Sequence, residues 1–226
     1  MSERVAIVTG AGGELGRSVA QKLAAAGFTV AGVDRSEQGL KELPDGIRSE
    51  AADPADPAAA RRVVDRIAAE AGPPEVLVNT IGMYHEGDAV SATPEVFRLM
   101  MDVNVGSALW LTQAVAPYLR ERGTGSIVHV ASRQGLEPTA GMATYALSKA
   151  ALVHLIRVLD LELRPAGIRV NGVAPQLLNT AATRSFLPSE MLAHAVAPET
   201  VADLIVYLVS DTAAPVSGAV VPAYGA

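Results

Sequence analysis

Tyr145 and Lys149 are the two residues of this sequence whose types and spacing point most directly to chemistry. A spacing of four residues on a helix places the phenol and the ammonium group on the same face. A phenol has an ordinary pKa of about 10, and a nearby ammonium group favours its anion by Coulomb attraction. The pair is therefore suited to acid–base catalysis at neutral pH, although a surface Tyr–Lys pair without a function can have the same spacing.

Ser132 precedes Tyr145 by 13 residues and stands at the end of a predicted strand. A hydroxyl there could hydrogen-bond the same substrate oxygen that Tyr145 protonates or deprotonates. The alternative is a serine that satisfies the backbone of the following loop. We therefore take Ser132 as a candidate partner of the tyrosine.

A glycine-rich turn follows the first predicted strand, with the pattern Gly-x-x-Gly-x-x-Gly at Gly10, Gly13 and Gly16. Glycines allow a tight turn and a close approach to a pyrophosphate, whose charge is met by the N–H groups at the start of the next helix. The strict dinucleotide fingerprint that starts at Gly10 would place a glycine at Leu15. The turn predicts a nucleotide site, and the alternative is a tight turn that binds nothing.

Asp34 follows the second predicted strand, 18 residues after Gly16. A carboxylate there can accept hydrogen bonds from an adenosine ribose and repels a 2′-phosphate, whereas the adjacent Arg35 could accommodate that phosphate. These residues predict NAD as the cofactor, with NADP as the alternative. An aspartate that is merely solvated in a turn would fit the same pattern.

Short β-branched runs alternate with longer alanine- and leucine-rich runs along the whole chain. The predicted strands are Val5–Thr9, Thr29–Val33, Gly46–Ala51, Val76–Asn79, Ser126–Ala131, Arg169–Val173 and Gly218–Val221. The predicted helices are Leu15–Ala26, Pro57–Ala71, Pro94–Arg122, Ala143–Arg164 and Glu199–Ser210. This order predicts an α/β fold: one doubly wound Rossmann-type domain over residues 1–226, with a mainly parallel seven-stranded sheet and helices on both faces. Ligands of such sheets bind beyond the carboxyl ends of the strands.

The composition excludes several classes of function. A net charge of −6 and an aromatic content of 4% argue against nucleic-acid binding. The absence of cysteine excludes disulfides, thiolate metal sites and a cysteine nucleophile. The four histidines do not have the spacing of metal ligands, so no metal site is expected. Without a long apolar segment or a signal-peptide pattern, we expect a cytoplasmic protein that does not enter membranes.

Considered together, these motifs resemble the classical short-chain dehydrogenase/reductase family over essentially the whole chain. The resemblance rests on Thr9-Gly10 with Gly16, Asp53, Asn79 with Gly82, Asn104, Ser132, the Tyr145/Lys149 pair, and Asn171 before Pro175 and Thr180. Each motif is loose by itself, but their order and spacing along one chain are specific.

The resemblance implies a role for each matching residue. Tyr145 would be the general acid or base, Ser132 would polarise the substrate oxygen, and Lys149 would lower the pKa of the tyrosine and hold the nicotinamide ribose. Asn104 would hold a water that links Lys149 to solvent. The implied cofactor-binding residues are Gly10, Gly12, Gly13, Leu15, Gly16, Asp34, Arg35, Asp53, Asn79, Gly82, Tyr145, Lys149, Pro175, Leu178 and Thr180.

The implied activity is hydride transfer between a nicotinamide cofactor and a small carbonyl or secondary-alcohol substrate. The implied assembly is a homotetramer or homodimer built on the helices Pro94–Arg122 and Ala143–Arg164. The sequence departs from the family pattern at Glu14, where the family has a glycine, at Ile81, where it has an alanine, and at Gln176, where it again has a glycine. Two alternatives stay open: a reductase of C=N bonds of the dihydropteridine type, and a non-catalytic nucleotide sensor.

Overall fold

The computed structural model describes residues 4–185 and 187–225. The strands are β1 Val5–Thr9, β2 Thr29–Asp34, β3 Arg48–Ala51, β4 Pro74–Asn79, β5 Gly125–Val130, β6 Ile168–Pro175 and β7 Val220–Ala223. The helices are α1 Glu14–Ala25, α2 Glu37–Leu40, α3 Pro57–Ala71, α4 Pro94–Met101, α5 Ser107–Arg122, α6 Ala143–Leu163, α7 Ala181–Arg184, α8 Ser189–Leu192 and α9 Pro198–Val209.

The strands form one parallel sheet in the order β3-β2-β1-β4-β5-β6-β7. This arrangement confirms the predicted doubly wound fold. Strand order reverses between β1 and β4, so the carboxyl ends of these two strands mark the place where such sheets bind ligands. Every residue of β5 is buried, as expected for a central strand that helices cover on both faces.

Helices cover the two faces of the sheet because alternate strand residues point to opposite sides. Ile7 faces a core that also contains Leu111 of α5 and Ile156 of α6. Its neighbour Val8 faces the second core, formed with residues of α1 and α9 such as Ile205. The two cores fix the sheet between rigid layers, and the loops at its carboxyl edge extend from that frame.

Most predicted element boundaries lie within two residues of those in the structure, and the differences have local causes. The predicted strand over 46–51 begins only at Arg48, and the predicted strand over 218–221 begins only at Val220. Gly46 and Gly218 both adopt the left-handed region, with φ of 88° and 75°, which an extended strand excludes. The strands β4 and β6 are longer than predicted and include Pro74 and Pro175 at their ends.

The predicted helix Pro94–Arg122 is not continuous. A π-helical turn over Asp102–Gly106 separates α4 from α5. Such turns insert an extra residue into a helix and often occur at functional sites. Here the turn contains Asn104, whose side chain faces the interior of the protein.

Candidate active site

The glycine turn between β1 and α1 is shaped by close backbone contacts. Gly10 has a φ of 74°, in the left-handed region that favours glycine, and its carbonyl oxygen accepts a hydrogen bond of 3.1 Å from the N–H of Gly13. A Cβ atom on Gly16 would clash with the same carbonyl oxygen. The first turn of α1 therefore packs directly against the end of β1, and residues 12–16 line the cleft beyond the sheet.

The Asp34 carboxylate is attached to this turn. Its Oδ2 atom accepts a 3.0 Å hydrogen bond from the N–H of Gly12, and its Oδ1 atom accepts one of 2.8 Å from the N–H of Ser36. A Cβ atom on Gly12 would lie 3.1 Å from the carboxylate, so glycine is needed for this approach. Arg35 is exposed beside it, and Asp53 is exposed at the end of β3, where its Oδ1 accepts from the N–H of Ala55 at 3.1 Å.

Asn79 is buried at the point where the strand order reverses. Its Oδ1 accepts hydrogen bonds from the hydroxyl of Thr9 at 2.8 Å and from the N–H of Ile81 at 3.1 Å. Its amide nitrogen is 3.4 Å from the hydroxyl oxygen of Ser107. The side chain thus joins β1, β4 and α5, and it positions the loop after β4 from behind the cleft.

Lys149 is buried next to that loop. Its Nζ donates a 3.0 Å hydrogen bond to the carbonyl oxygen of Val130, and a Cβ atom on Gly82 would lie 3.0 Å from Nζ. Glycine at 82 therefore leaves the space that the ammonium group occupies. Burial lowers the pKa of Lys149 to about 8, because the charged form loses its hydration.

Tyr145 lies in the same cleft, beside Ser132 and Tyr84. Burial raises the pKa of Tyr145, a hydrogen bond with Ser132 opposes that shift, and the neighbouring Tyr84 adds to it. The rings of Tyr84 and Tyr145 meet edge to face with centroids 5.3 Å apart. The sequence predicted that Lys149 lowers the pKa of Tyr145. In the structure burial dominates, and the pKa of Tyr145 is raised above its ordinary value.

Ser132 follows β5 with an extended backbone and is buried. Its hydroxyl donates a 2.5 Å hydrogen bond to Oε1 of Gln134, which also lines the cleft. A side-chain amide therefore sets the direction of the serine hydroxyl, a contact that strand periodicity alone did not reveal.

Asn104 connects the loop after β4 to α6 from inside the protein. Its Nδ2 donates hydrogen bonds to the carbonyl oxygen of Met83 at 3.0 Å and to the hydroxyl of Ser148 at 2.9 Å. Its Oδ1 accepts a hydrogen bond of 2.7 Å from the N–H of Met83. The Ser148 hydroxyl in turn donates to the carbonyl oxygen of Tyr145 at 2.7 Å. The π-helical turn thus places an amide that fixes both the Met83 backbone and the first turn of α6.

His129 is fully buried in β5 behind Lys149. Its Nε2 is 3.1 Å from the hydroxyl oxygen of Thr112, and its Nδ1 has no partner within the described part of the chain. Burial and the charge of Lys149 lower the pKa of His129 to about 3, so the imidazole is neutral at ordinary pH. Among the described residues, no group of three or more histidine and acidic side chains is arranged to hold a metal ion.

The outer wall of the cleft is formed by the described residues between 176 and 196, which follow β6. Thr180 is the N-cap residue of α7, and its hydroxyl accepts a 3.2 Å hydrogen bond from the N–H of Thr183. Leu178 pairs with Val196 in an isolated bridge. The carboxylate of Glu14, in the first turn of α1, accepts a hydrogen bond from the N–H of Ala181 on this wall.

These features enclose a cleft of about 900 Å³ at the carboxyl edge of the sheet. The predicted site residues that line it are Gly10, Gly12, Gly13, Leu15, Gly16, Gly82, Ser132, Tyr145, Lys149, Pro175, Leu178 and Thr180. Asp34, Arg35 and Asp53 lie outside this lining, and Asn79 and Asn104 act from behind its walls. Sequence reasoning missed Met142, Leu187 and His194, which also line the cleft. They follow loops or short helices. These segments have no hydrophobic periodicity in the sequence from which their position could be predicted.

Within the two described ranges, no helix has both the length and the apolar character needed to cross a membrane.

Comparisons with known proteins agree with this geometry. The family model described as short chain dehydrogenase matches residues 4–190. The putative ketoacyl reductase 2 of the granaticin polyketide synthase from Streptomyces violaceoruber is 35% identical, covering 92% of this chain and 90% of that protein. The 3-oxoacyl-[acyl-carrier-protein] reductase of Escherichia coli is 30% identical, covering 95% and 93%. The crystal structure of L-sorbose reductase from Gluconobacter frateurii, complexed with NADPH and L-sorbose, superimposes with a TM-score of 0.91 at 27% identity, covering 99% of this chain and 96% of that one.

Proposed function

The chain belongs to the short-chain dehydrogenase family, and from that premise we propose that it is a nicotinamide-dependent oxidoreductase that interconverts a carbonyl compound and a secondary alcohol. The observation that carries the proposal is the meeting of Ser132, Tyr145 and Lys149 in one cleft with the glycine turn. A glycine turn alone would also suit a nucleotide sensor. Adding a phenol, a serine hydroxyl and a buried amine supplies the groups that proton transfer to a carbonyl oxygen requires.

The cradle of this structure fits a dinucleotide. Glycines at 12 and 16 stand where a Cβ atom would meet neighbouring atoms, so the turn is compact, and the turn and the first residues of α1 line the cleft. Gly10, Gly12, Gly13, Leu15 and Gly16 would hold the phosphates, Asp34 with Asp53 the adenosine half, and Lys149 with Thr180 the nicotinamide half. When bound, the nicotinamide supplies or accepts the hydride.

The protein's own groups provide the proton and the orientation of the substrate. The raised pKa of Tyr145 keeps its phenol protonated at neutral pH, which is the form that can donate to a carbonyl oxygen. The Ser132 hydroxyl can turn from Gln134 to that same oxygen and polarise it. Lys149 and Asn104 lie behind Tyr145, and we assign them to ribose binding and to a relay of protons from solvent.

Asp34 favours NAD over NADP. Its carboxylate is fixed by Gly12 and Ser36 at the end of β2, where a 2′-phosphate would meet a negative charge. Two observations keep NADP as the alternative. Arg35, the residue after Asp34, is exposed and could accommodate a 2′-phosphate. The L-sorbose reductase complex shows that a protein of this fold can bind NADPH.

A small molecule fits the substrate half of the cleft. That half is formed by Met83, Tyr84, Met142, Leu187 and other largely apolar side chains, with Gln134 as a polar contact. We further propose a homodimer or homotetramer, supported by apolar side chains on α4 and α6, such as Phe97 and Leu161, that are 43% and 68% exposed.

Substitution of Tyr145 by phenylalanine tests the proposed function. Tyr145→Phe removes the hydroxyl that donates the proton and keeps the ring against Tyr84, so turnover should fall by at least about a hundredfold. Binding of NAD, measured by calorimetry, should change little. Tyr207→Phe, on the exposed side of α9, is the matched control and should retain wild-type turnover. Wild-type rates in Tyr145→Phe across a panel of ketones would refute the mechanism.

A further inference from the structure

The side chain of Glu14 crosses the opening of the cleft. The glycine that the family has at this position has no side chain with which to make such a contact. The Glu14 carboxylate, at the start of α1, accepts a hydrogen bond from the N–H of Ala181, and its Oε2 atom lies 3.8 Å from Nη2 of Arg184. These partners are on the outer wall, 167 residues further along the chain for Ala181. One side chain therefore connects the glycine turn to the opposite wall.

The contact restrains more than the two residues that it touches. The guanidinium of Arg184 donates hydrogen bonds to the backbone oxygen of Asn179 at 3.2 Å and to its side-chain oxygen at 2.9 Å. The hydroxyl of Thr183 donates to the carbonyl oxygen of Leu178 at 2.6 Å, and Thr180 and Thr183 form a reciprocal capping pair. Residues 178–184 are thus internally bonded, so a contact at Ala181 holds the whole segment, including Thr180.

The position of Glu14 brings it into conflict with a bound dinucleotide. A dinucleotide that extends from Asp34 to Lys149 passes between the glycine turn and Thr180, with its phosphates at the start of α1. Glu14 lines the cleft beside the glycine turn, so its carboxylate would place a negative charge close to those phosphates. The charge repels phosphate at close range, whereas the half-exposed pair with Arg184 contributes little stabilisation.

We propose that Glu14 is a latch that holds the outer wall against the glycine turn and that has to release this wall when a dinucleotide binds. The proposal rests on the proposed function, because it assigns the cleft to a dinucleotide. The consequence is that the protein binds a dinucleotide more weakly than the same cleft would bind it without Glu14. Glu14 is a positioning residue in this scheme, since it acts through the outer wall.

Titration with NAD tests the release of the latch. Glu14→Gln keeps an acceptor for Ala181 but removes the charge, and Glu14→Ala removes both. We expect both variants to bind NAD about tenfold more tightly than the wild type by calorimetry. Glu199→Gln is the matched control, because Glu199 is an exposed glutamate in the first turn of α9 and lies outside the cleft lining. Unchanged or weaker binding in the Glu14 variants, or equal tightening in Glu199→Gln, would overturn the proposal.

Limited proteolysis tests the closed latch without any nucleotide. Trypsin cleavage after Arg184, followed by mass spectrometry, reports how often the outer wall leaves the glycine turn. Glu14→Ala should be cleaved several times faster than the wild type, Glu14→Gln more slowly than Glu14→Ala, and Glu199→Gln at the wild-type rate. Equal rates for Glu14→Ala and the wild type would contradict the latch. If no form of the protein binds NAD or NADP, the proposed function fails, and the cleavage rates still decide whether the latch exists.

Discussion

The inner and outer walls of the cleft are built in different ways. The inner wall is formed by residues that follow β4 and β5 and by residues of α6. The side chains to which we assign a function there, Ser132, Lys149 and Asn104, are buried and hydrogen-bonded. On the outer wall, none of the described side chains of residues 176–196 is buried, and its two helices, α7 and α8, are one turn long. The groups that we propose to perform chemistry thus lie on the rigid frame, while the wall opposite them lies on a segment with little buried surface.

We infer from this difference that the fold separates the proposed catalysis from ligand access. Proton transfer requires groups that are held within a fraction of an ångström, which packed strands and a long helix provide. Entry and exit of ligands require a segment that opens at low free-energy cost, and few buried apolar contacts keep that cost low. We expect changes on the inner wall to affect the rate of the chemical step and changes on the outer wall to affect binding.

The largest expected effect distinguishes two serines, one on each wall. Ser132→Ala removes the hydroxyl that polarises the substrate oxygen, and kcat should fall about a hundredfold. Ser185→Ala removes a hydroxyl that, among the described residues, donates to the carbonyl oxygen of Ala182, so kcat should stay close to that of the wild type. Steady-state kinetics on one ketone substrate measure both. Similar losses in the two variants would remove the proposed division between the walls.

A smaller effect is expected at Asp34, at the end of β2 and outside the cleft lining. Wild-type protein should bind NAD more tightly than NADP, and Asp34→Ala should reduce that preference by about tenfold, because it removes the carboxylate that opposes a 2′-phosphate. Calorimetric titration of both nucleotides measures the preference. The control is Asp45→Ala, in the loop between α2 and β3, which should leave the preference unchanged. Wild-type protein that binds NADP as tightly as NAD would refute the role of Asp34.

The last effect concerns stability, not catalysis or binding, and it measures the cost of a buried frame. The pKa of His129 is about 3 when folded and 6.5 in its ordinary state, so the unfolded chain binds more protons between these values. The stability that depends on His129 is therefore present above pH 6.5 and is lost as the pH falls toward 3, by about 2 kcal/mol at pH 5. Urea unfolding at pH 7.5 and pH 5 should show a smaller loss in His129→Gln than in the wild type.

The control for this prediction is His154→Gln, because His154 is exposed on α6. It should show the same loss of stability with falling pH as the wild type. If His129→Gln also shows the wild-type loss, the imidazole is not the group that makes the frame sensitive to acid. Should His129→Gln fail to fold, direct titration of the His129 ring in the wild type by NMR would give the same information.

The parallel sheet and the membership of Ser132, Tyr145 and Lys149 in one site could be predicted from sequence, because each depends on local patterns. Alternating β and α segments predict a doubly wound sheet, and such a sheet brings residues that follow its strands to one edge. The interruption of the helix Pro94–Arg122 could not be predicted in this way, since both halves have helical periodicity. The helix is interrupted where the Asn104 side chain forms hydrogen bonds with Met83 and Ser148, which are distant in sequence.

The types and order of the reactive groups were determined by the sequence itself: a phenol with an amine four residues later, a serine after a strand, and a carboxylate after the second strand. Their protonation states and the partner of Glu14 were decided only by tertiary structure. Burial depends on everything packed around a side chain, so it raised the pKa of Tyr145 where spacing to Lys149 predicted the opposite. The contact of Glu14 with Ala181 likewise exists only because the fold brings the start of α1 against the outer wall, whose residues come much later in the sequence.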